Sequence, residues 1–233
     1  MDKEKIFFGI CIFAGLAVLG GMLPKAAAEF KSFDRVVSVK GLCEKEVPAD
    51  KVIWPLSYKV IGDDISAVNA EIEKKNQIIC DFLTDGGIDE SELIVSVPAI
   101  SDKYAQEYGS NDRLYRYVAT STVTVCTGNV DKVLELMSSQ SDLIKKDIVL
   151  SSDWESQPNF NFEGLNEIKP EMIEEATRNA REVAKKFAKD SGSKLGKIKE
   201  ATQGTFSIDD RDGNTPYIKR VRVVTYVTYY LKK

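Results

Sequence analysis

An α+β fold is the class this sequence predicts, with a mixed, largely antiparallel sheet packed by helices and preceded by one N-terminal transmembrane helix. Three observations predict it. Ile6–Leu23 is an unbroken apolar run, two long segments carry apolar residues at helical spacing, and several β-rich segments follow one another with no helix between them. The composition agrees, because 43% hydrophobic and 29% charged residues over 233 exclude wholesale disorder, collagen repeats and a polytopic membrane protein.

Ile6–Leu23 reads IFFGICIFAGLAVLGGML, with no charged side chain. At helical rise it spans roughly 27 Å, close to the thickness of a bilayer's hydrocarbon core. Residues 1–28 are therefore expected to form a signal anchor, residues 29–35 a short linker and residues 36–233 the folded domain. Ala26, Ala27 and Ala28 offer small residues for cleavage, so secretion after a cut near Ala28 is the alternative. Lys3 and Lys5 precede the run and Lys25, Lys31 and Arg35 follow it, so positive charge alone does not orient it. Cys11 is no lipoprotein cysteine, because Ile10 stands where a small residue is required.

Val36, Val37 and Val39 open a β-rich stretch, and Lys51–Ile61 is another, so the Pro48-Ala49-Asp50 segment between them is expected to close an antiparallel hairpin. Asp64 caps a helix in which Ile65, Val68, Ile72, Ile79, Phe82 and Leu83 share a face, and Gly86-Gly87 provides the exit. Leu93–Ile100 and Leu114–Cys126 read as paired strands, joined by a polar connection with Gly109, Ser110, Asn111 and Asp112 as turn residues. Asn129 caps a short helix with Val130, Val133, Leu134 and Met137 on one face, and Asp147–Leu150 returns to strand character. After Pro170 a helix presents Ile173, Ala176, Ala180, Val183, Ala184 and Phe187, with acids early and bases late to suit its dipole. Val221–Leu231 alternates strictly, placing Val221, Val223, Thr225, Val227 and Tyr229 on one side and Tyr226 and Tyr230 on the other.

Chemistry is constrained mostly by exclusion. With no histidine, triads, metal sites and proton shuttles that need one are ruled out. Lys and Arg total 32 against 36 Asp and Glu, and the net charge of −4 gives no general attraction for nucleic acid. Cys43, Cys80 and Cys126 lack metal-ligand spacing, and the sequence does not fix whether any two pair. Ser191–Lys197 mimics a phosphate loop, but it has too few residues between its glycines, and a helix cap followed by a turn explains it better. Aligning Gly213 as a calcium-loop glycine puts Ile208 and Lys219 at ligand positions, so the Asp209–Asn214 cluster reads as Asx turn chemistry. No catalytic, cofactor or metal residue is assigned. Candidate contact residues are Trp154, Phe160 and Phe162 in a polar connection and Tyr115, Tyr117, Tyr226 and Tyr230 on strands.

Several stretches together resemble one family. Val39-x-Gly41 with Glu44-x-Glu46-Val47-Pro48-Ala49-Asp50 is similar to the opening of SIMPL domains, also known as the DUF541 family. Gly86-Gly87-Ile88, Leu93-Ile94-Val95-Ser96, Tyr115-x-Tyr117, the alanines from Ala176 to Ala188 and Leu195-Gly196-x-Ile198 continue the match. Thr215-Pro216-Tyr217-Ile218-Lys219 and Val221-Arg222-Val223-Val224 resemble a membrane-anchored bacterial subgroup. The resemblance implies a single pass through the bacterial inner membrane with the folded portion in the periplasm. It also implies a role in oligomeric assembly or envelope and oxidative stress, and it brings no catalytic motif. The leading expectation is thus a non-enzymatic envelope scaffold that binds copies of itself or an envelope protein. The alternative is a hydrolase or thiol-dependent stress-protective enzyme using Cys43, which replaces the small or aliphatic residue usual near the family's first strand.

Overall fold

The computed structural model describes residues 3–32, 35–105 and 114–232. The expected turn at Gly109–Asp112 lies outside the described residues. In chain order, α1 (Lys3–Ser32) precedes β1 (Val36–Pro48) and β2 (Lys51–Gly62). Next come α2 (Ile65–Asp85), β3 (Leu93–Val95), β4 (Ala99–Asp102) and β5 (Tyr117–Thr127). α3 (Val130–Ser139), α4 (Ser141–Ile144) and β6 (Asn159–Asn161) follow, then α5 (Leu165–Asp190), β7 (Lys194–Gln203), β8 (Ser207–Asp210) and β9 (Ile218–Lys232). The fold is mixed α+β, with antiparallel sheets packed by helices. The run expected to cross a membrane lies within the helix α1, but among the described residues no helix is long and apolar enough to cross one.

The chain forms two compact units. The first comprises Met1–Lys45, Glu167–Ser207 and Val221–Lys233, and the second comprises Glu46–Asn166 and Ile208–Arg220. In the first, β9 lies between β1 and β7. Glu44 meets Arg222 at 3.1 Å and Ser38 meets Thr228 at 2.9 Å, the descending register of an antiparallel pair. α5 lays a ridge of Met172, Ala176, Ala180, Ala184 and Ala188 on this sheet, each side chain one helical turn from the next and all buried. Gly41 permits the approach, because a Cβ there would stand 1.8 Å from the Ala176 carbonyl oxygen. The expected stripe holds at Ala176, Ala180 and Ala184 and is corrected at two of its large members. Val183 and Phe187 face solvent, since the small side chains, not the large ones, set the distance between helix and sheet.

In the second unit, β5 pairs with β2 from Val52↔Thr127 to Gly62↔Tyr117, and β3, β4 and β6 complete a five-stranded sheet. Val52, Trp54, Leu56 and Tyr58 point inward and pack with Val68, Ile72, Ile79 and Leu83 of α2. As expected, the Asp64 side chain caps α2, and Gly87 takes φ 91° at the exit. Asn129 caps α3, whose buried face is Val130, Val133 and Leu136, with Leu134 and Met137 packed alongside.

Four expected elements differ. β1 and β2 do not pair with each other: β1 neighbours β9, and β2 neighbours β5 and β6. The intervening tripeptide is committed elsewhere, because Ala49 donates to the Tyr217 carbonyl (2.8 Å) and Asp50 to that of Asn161 (3.0 Å). The Asp50 carboxylate also accepts from the Glu163 and Gly164 N–H groups, both at 2.7 Å. Leu93–Ile100 is not one strand; it breaks before Pro98, whose nitrogen has no hydrogen to donate to a ladder. Asp147–Leu150 forms only an isolated bridge between Leu150 and Tyr58, and Asp147 adopts φ 61°. α5 starts at Leu165, so Pro170 lies inside the helix; the bonds from Asp50 order the backbone upstream of it.

Candidate functional site

The second unit holds a cleft of about 470 Å³. Ile53 and Pro55 reach it from the side of β2 opposite the core, because side chains alternate between the faces of a strand. Trp154 stands at the cleft on a single 3-10 turn, Trp154–Ser156, and is 88% exposed. The segment around it is tied to β2 by the Ser151 N–H to Ser57 carbonyl bond (2.7 Å) and by the Lys59–Asp153 ion pair (3.7 Å). Asp210 of β8 and Lys219 of β9 complete the cleft, and their carboxylate and ammonium pair directly. Lys219 is only 8% exposed. Pairing with Asp210 is what allows a charged group to sit so deep. A second hollow of about 380 Å³ shares Pro55 and Glu155 with the first and runs over Ser57, Thr120 and Thr122.

Of the candidate contact residues, Trp154 and Phe160 both line this cleft, in different ways. Phe160 is an interior residue, 2% exposed, packed edge to face on Tyr217 with ring centres 6.1 Å apart. Phe162 is half-buried and does not line it. Tyr115 and Tyr117 flank Arg116, which lies 4.9 Å from the Tyr117 ring and is held by Asp102 at 2.8 Å. That guanidinium holds the Asp102 carboxyl below its usual range. Tyr226 and Tyr230 belong to the first unit, where they share one side of β9. The Lys40 ammonium lies 5.1 Å from the Tyr226 ring, and that of Lys199 lies 5.8 Å from the Tyr230 ring. Tyr117, Tyr226 and Tyr230 thus already have partners within the chain, whereas Tyr115 lies ahead of β5, which begins at Tyr117 and not at the expected Leu114.

The residues missed from the sequence are Lys219 and Asp210. A signal was present for the lysine: the alternation of β9, extended back two residues from Val221, puts Lys219 on the inward phase, where a charge needs a partner. Its partner Asp210 belonged to the cluster read as turn chemistry. Asp212 does build such a turn, accepting from the N–H groups of Asn214 (2.8 Å) and Thr215 (2.9 Å). The Thr215 hydroxyl donates to it as well, at 2.6 Å, and these bonds hold its carboxyl down at about 2.

Cys43 does not resemble a nucleophile. Burial, then its hydrogen bond to Glu175 (3.3 Å), then that residue's negative charge push the thiol up to about 11. A thiol that is protonated at neutral pH is a poor attacking group. Among the described residues, no group of three or more Cys, Asp or Glu is placed to hold a metal ion. The cleft combines an aromatic platform, a paired charge and planar polar groups, an arrangement suited to binding.

Comparison with curated proteins finds no match. A family described as a protein of unknown function (DUF541), SIMPL, matches residues 37–226. That span runs from β1 into β9 and takes in the cleft, Gly41 and the alanine ridge of α5, so the chain belongs to the SIMPL family.

Proposed function

We propose that the protein is a non-catalytic, self-associating scaffold of the bacterial envelope, held to the inner membrane by α1 with its folded units in the periplasm. The observation that carries self-association is the edge of the five-stranded sheet. β3 and β4 both pair with β5 on one side, and among the described residues no strand pairs with their other side. That edge displays Ile94, Val95, Val97 and Ile100 to solvent, with Val97 93% exposed. A free edge rich in β-branched apolar side chains is a template for another strand, and the same segment of a second copy meets it through a two-fold axis. The anchor reading is supported by α1, whose described side chains from Phe7 to Leu23 are apolar on every side and exposed in the isolated chain. A helix apolar all round needs an apolar surrounding. The thiol-dependent alternative is disfavoured by the protonated Cys43.

Light scattering of the full chain in detergent tests the reading. The wild type is expected at a multiple of the monomer mass, and Ile94→Lys with Val97→Asp at the monomer mass. A monomeric wild type, or an assembly indifferent to both substitutions, contradicts self-association through this edge.

A further inference from the structure

We infer that the cleft beside Trp154 binds a neutral saccharide, with the indole as the platform on which a sugar ring stacks. The first ground is the indole itself. A tryptophan side chain can bury about 150–250 Å². Trp154 keeps almost all of its surface in water although apolar groups of Ile53, Pro55 and Phe160 line the same cleft. The backbone that carries it is fixed by the bonds of its own turn, Ser156 N–H to the Asp153 carbonyl (2.9 Å) and Gln157 N–H to the Trp154 carbonyl (3.2 Å). A flat apolar face presented this way suits the C–H face of a pyranose, which is apolar while its rim is hydroxylated.

The second ground is the polar complement. Glu155, Gln157, Asn159, Asp210 and Lys219 surround the apolar floor. Carboxylates accept, an ammonium donates and amides do both, which is what hydroxyl groups require. Charge then narrows the class. Lys219 is already paired with Asp210, which leaves Glu155 uncompensated in the lining and opposes an anionic ligand. Size agrees, since about 470 Å³ lies within the usual range of roughly 300–1,000 Å³ for small-molecule sites. The adjoining hollow is lined by the hydroxyl-bearing residues Ser57, Thr120 and Thr122 together with Lys59 and Asp153, whose charges pair with each other, so a second neutral ring can follow the first along the face of β2 and β5.

The cleft beside Trp154 shares no lining residue with the β3 and β4 edge proposed above, so either reading can fail alone. The test is an NMR titration of the full chain in a phosphocholine detergent, which carries no sugar. The chain has two tryptophans, and the buried Trp54 is the internal control for the exposed Trp154. Chitotriose and maltotriose serve as neutral probes, a trigalacturonate as the anionic one and a proline-rich peptide as the polypeptide one. A neutral trisaccharide is expected to shift the Trp154 indole signal saturably with a Kd of about 1 mM or tighter, leaving Trp54 unmoved. Read from the backbone amide signals of Gln157 and Phe160, which all three variants keep, Trp154→Ala is expected to weaken binding at least about tenfold, Trp154→Phe to retain most of it and Asn159→Ala to weaken it measurably. The mass by light scattering should be unchanged in all three variants. No shift with either neutral probe up to about 10 mM, equal binding by Trp154→Ala, or saturation by the trigalacturonate or the peptide alone overturns the inference.

Discussion

Two side chains carry sharp consequences at the scale of single residues. The Asp212 carboxyl is held near 2 by the hydrogen bonds of its own turn, against an ordinary value of 3.8. A group whose folded value is depressed stabilises the fold above its unfolded value and ceases to do so as pH falls through the folded one. The turn between β8 and β9 is therefore expected to keep its bonds at pH 4 and lose them towards pH 2. Amide NMR of Asn214 and Thr215 should titrate with a midpoint near 2, and a midpoint near 3.8 would mean that the turn is not formed. Cys43 runs the other way. With its thiol raised to about 11, its contribution is complete below the ordinary value of 9.0 and fades as pH climbs towards 11. In a variant keeping only this cysteine, thiol reagents at pH 8 should label the native chain far more slowly than the unfolded one, as read by mass spectrometry. Labelling at the same rate in both would remove the burial argument. The asymmetry in legibility is physical: Lys219 announces itself by falling on the inward phase of an alternating strand, whereas Cys43 and Glu175 are 132 residues apart and meet only through the fold.

Among elements, local signals were legible and pairings were not. Asp64, Asn129 and Gly87 mark helix ends from sequence because caps are satisfied within a few residues. The burial phase of β9 was also legible, since alternation is a property of one strand alone. The hairpin expected of β1 and β2 failed for a reason no local pattern holds. The Pro48-Ala49-Asp50 segment bonds to Tyr217, Asn161, Glu163 and Gly164, all more than a hundred residues away. Asp50→Ala removes both carboxylate bonds ahead of α5 and is expected to cost about 1 kcal/mol in urea unfolding, with Asp50→Asn intermediate. The face of α5 shows the same limit. Ala176, Ala180 and Ala184 pack as expected, but hydrophobic spacing also favoured Val183 and Phe187, which stay outside because Gly41 lets the helix backbone come against β1. Gly41→Ala places a methyl group inside the space of the Ala176 carbonyl and should destabilise the chain by about 3 kcal/mol or more, whereas Val183→Ala on the exposed side should change stability by less than about 1 kcal/mol. Equal unfolding midpoints for Gly41→Ala and wild type would show that the ridge is not in contact with β1.

At the scale of the whole molecule, the features that follow from composition are the ones a sequence shows most plainly: an apolar N-terminal helix, α+β character and no histidine. The cleft beside Trp154 was half legible, since an exposed aromatic in a polar connection was visible but its meeting with Lys219 and Asp210 requires the segment Ile208–Arg220 to return to the unit that holds Trp154. The free edge of β3 and β4 was hidden for the same reason, because edges exist only once the strand order is set. The proposed anchoring of the folded units to a membrane by α1 is tested most directly by fractionation of cells expressing the intact chain. The chain should stay with the membranes through an alkaline carbonate wash, and deletion of residues 6–23 should release it. Recovery of the intact chain in the soluble fraction would contradict the account.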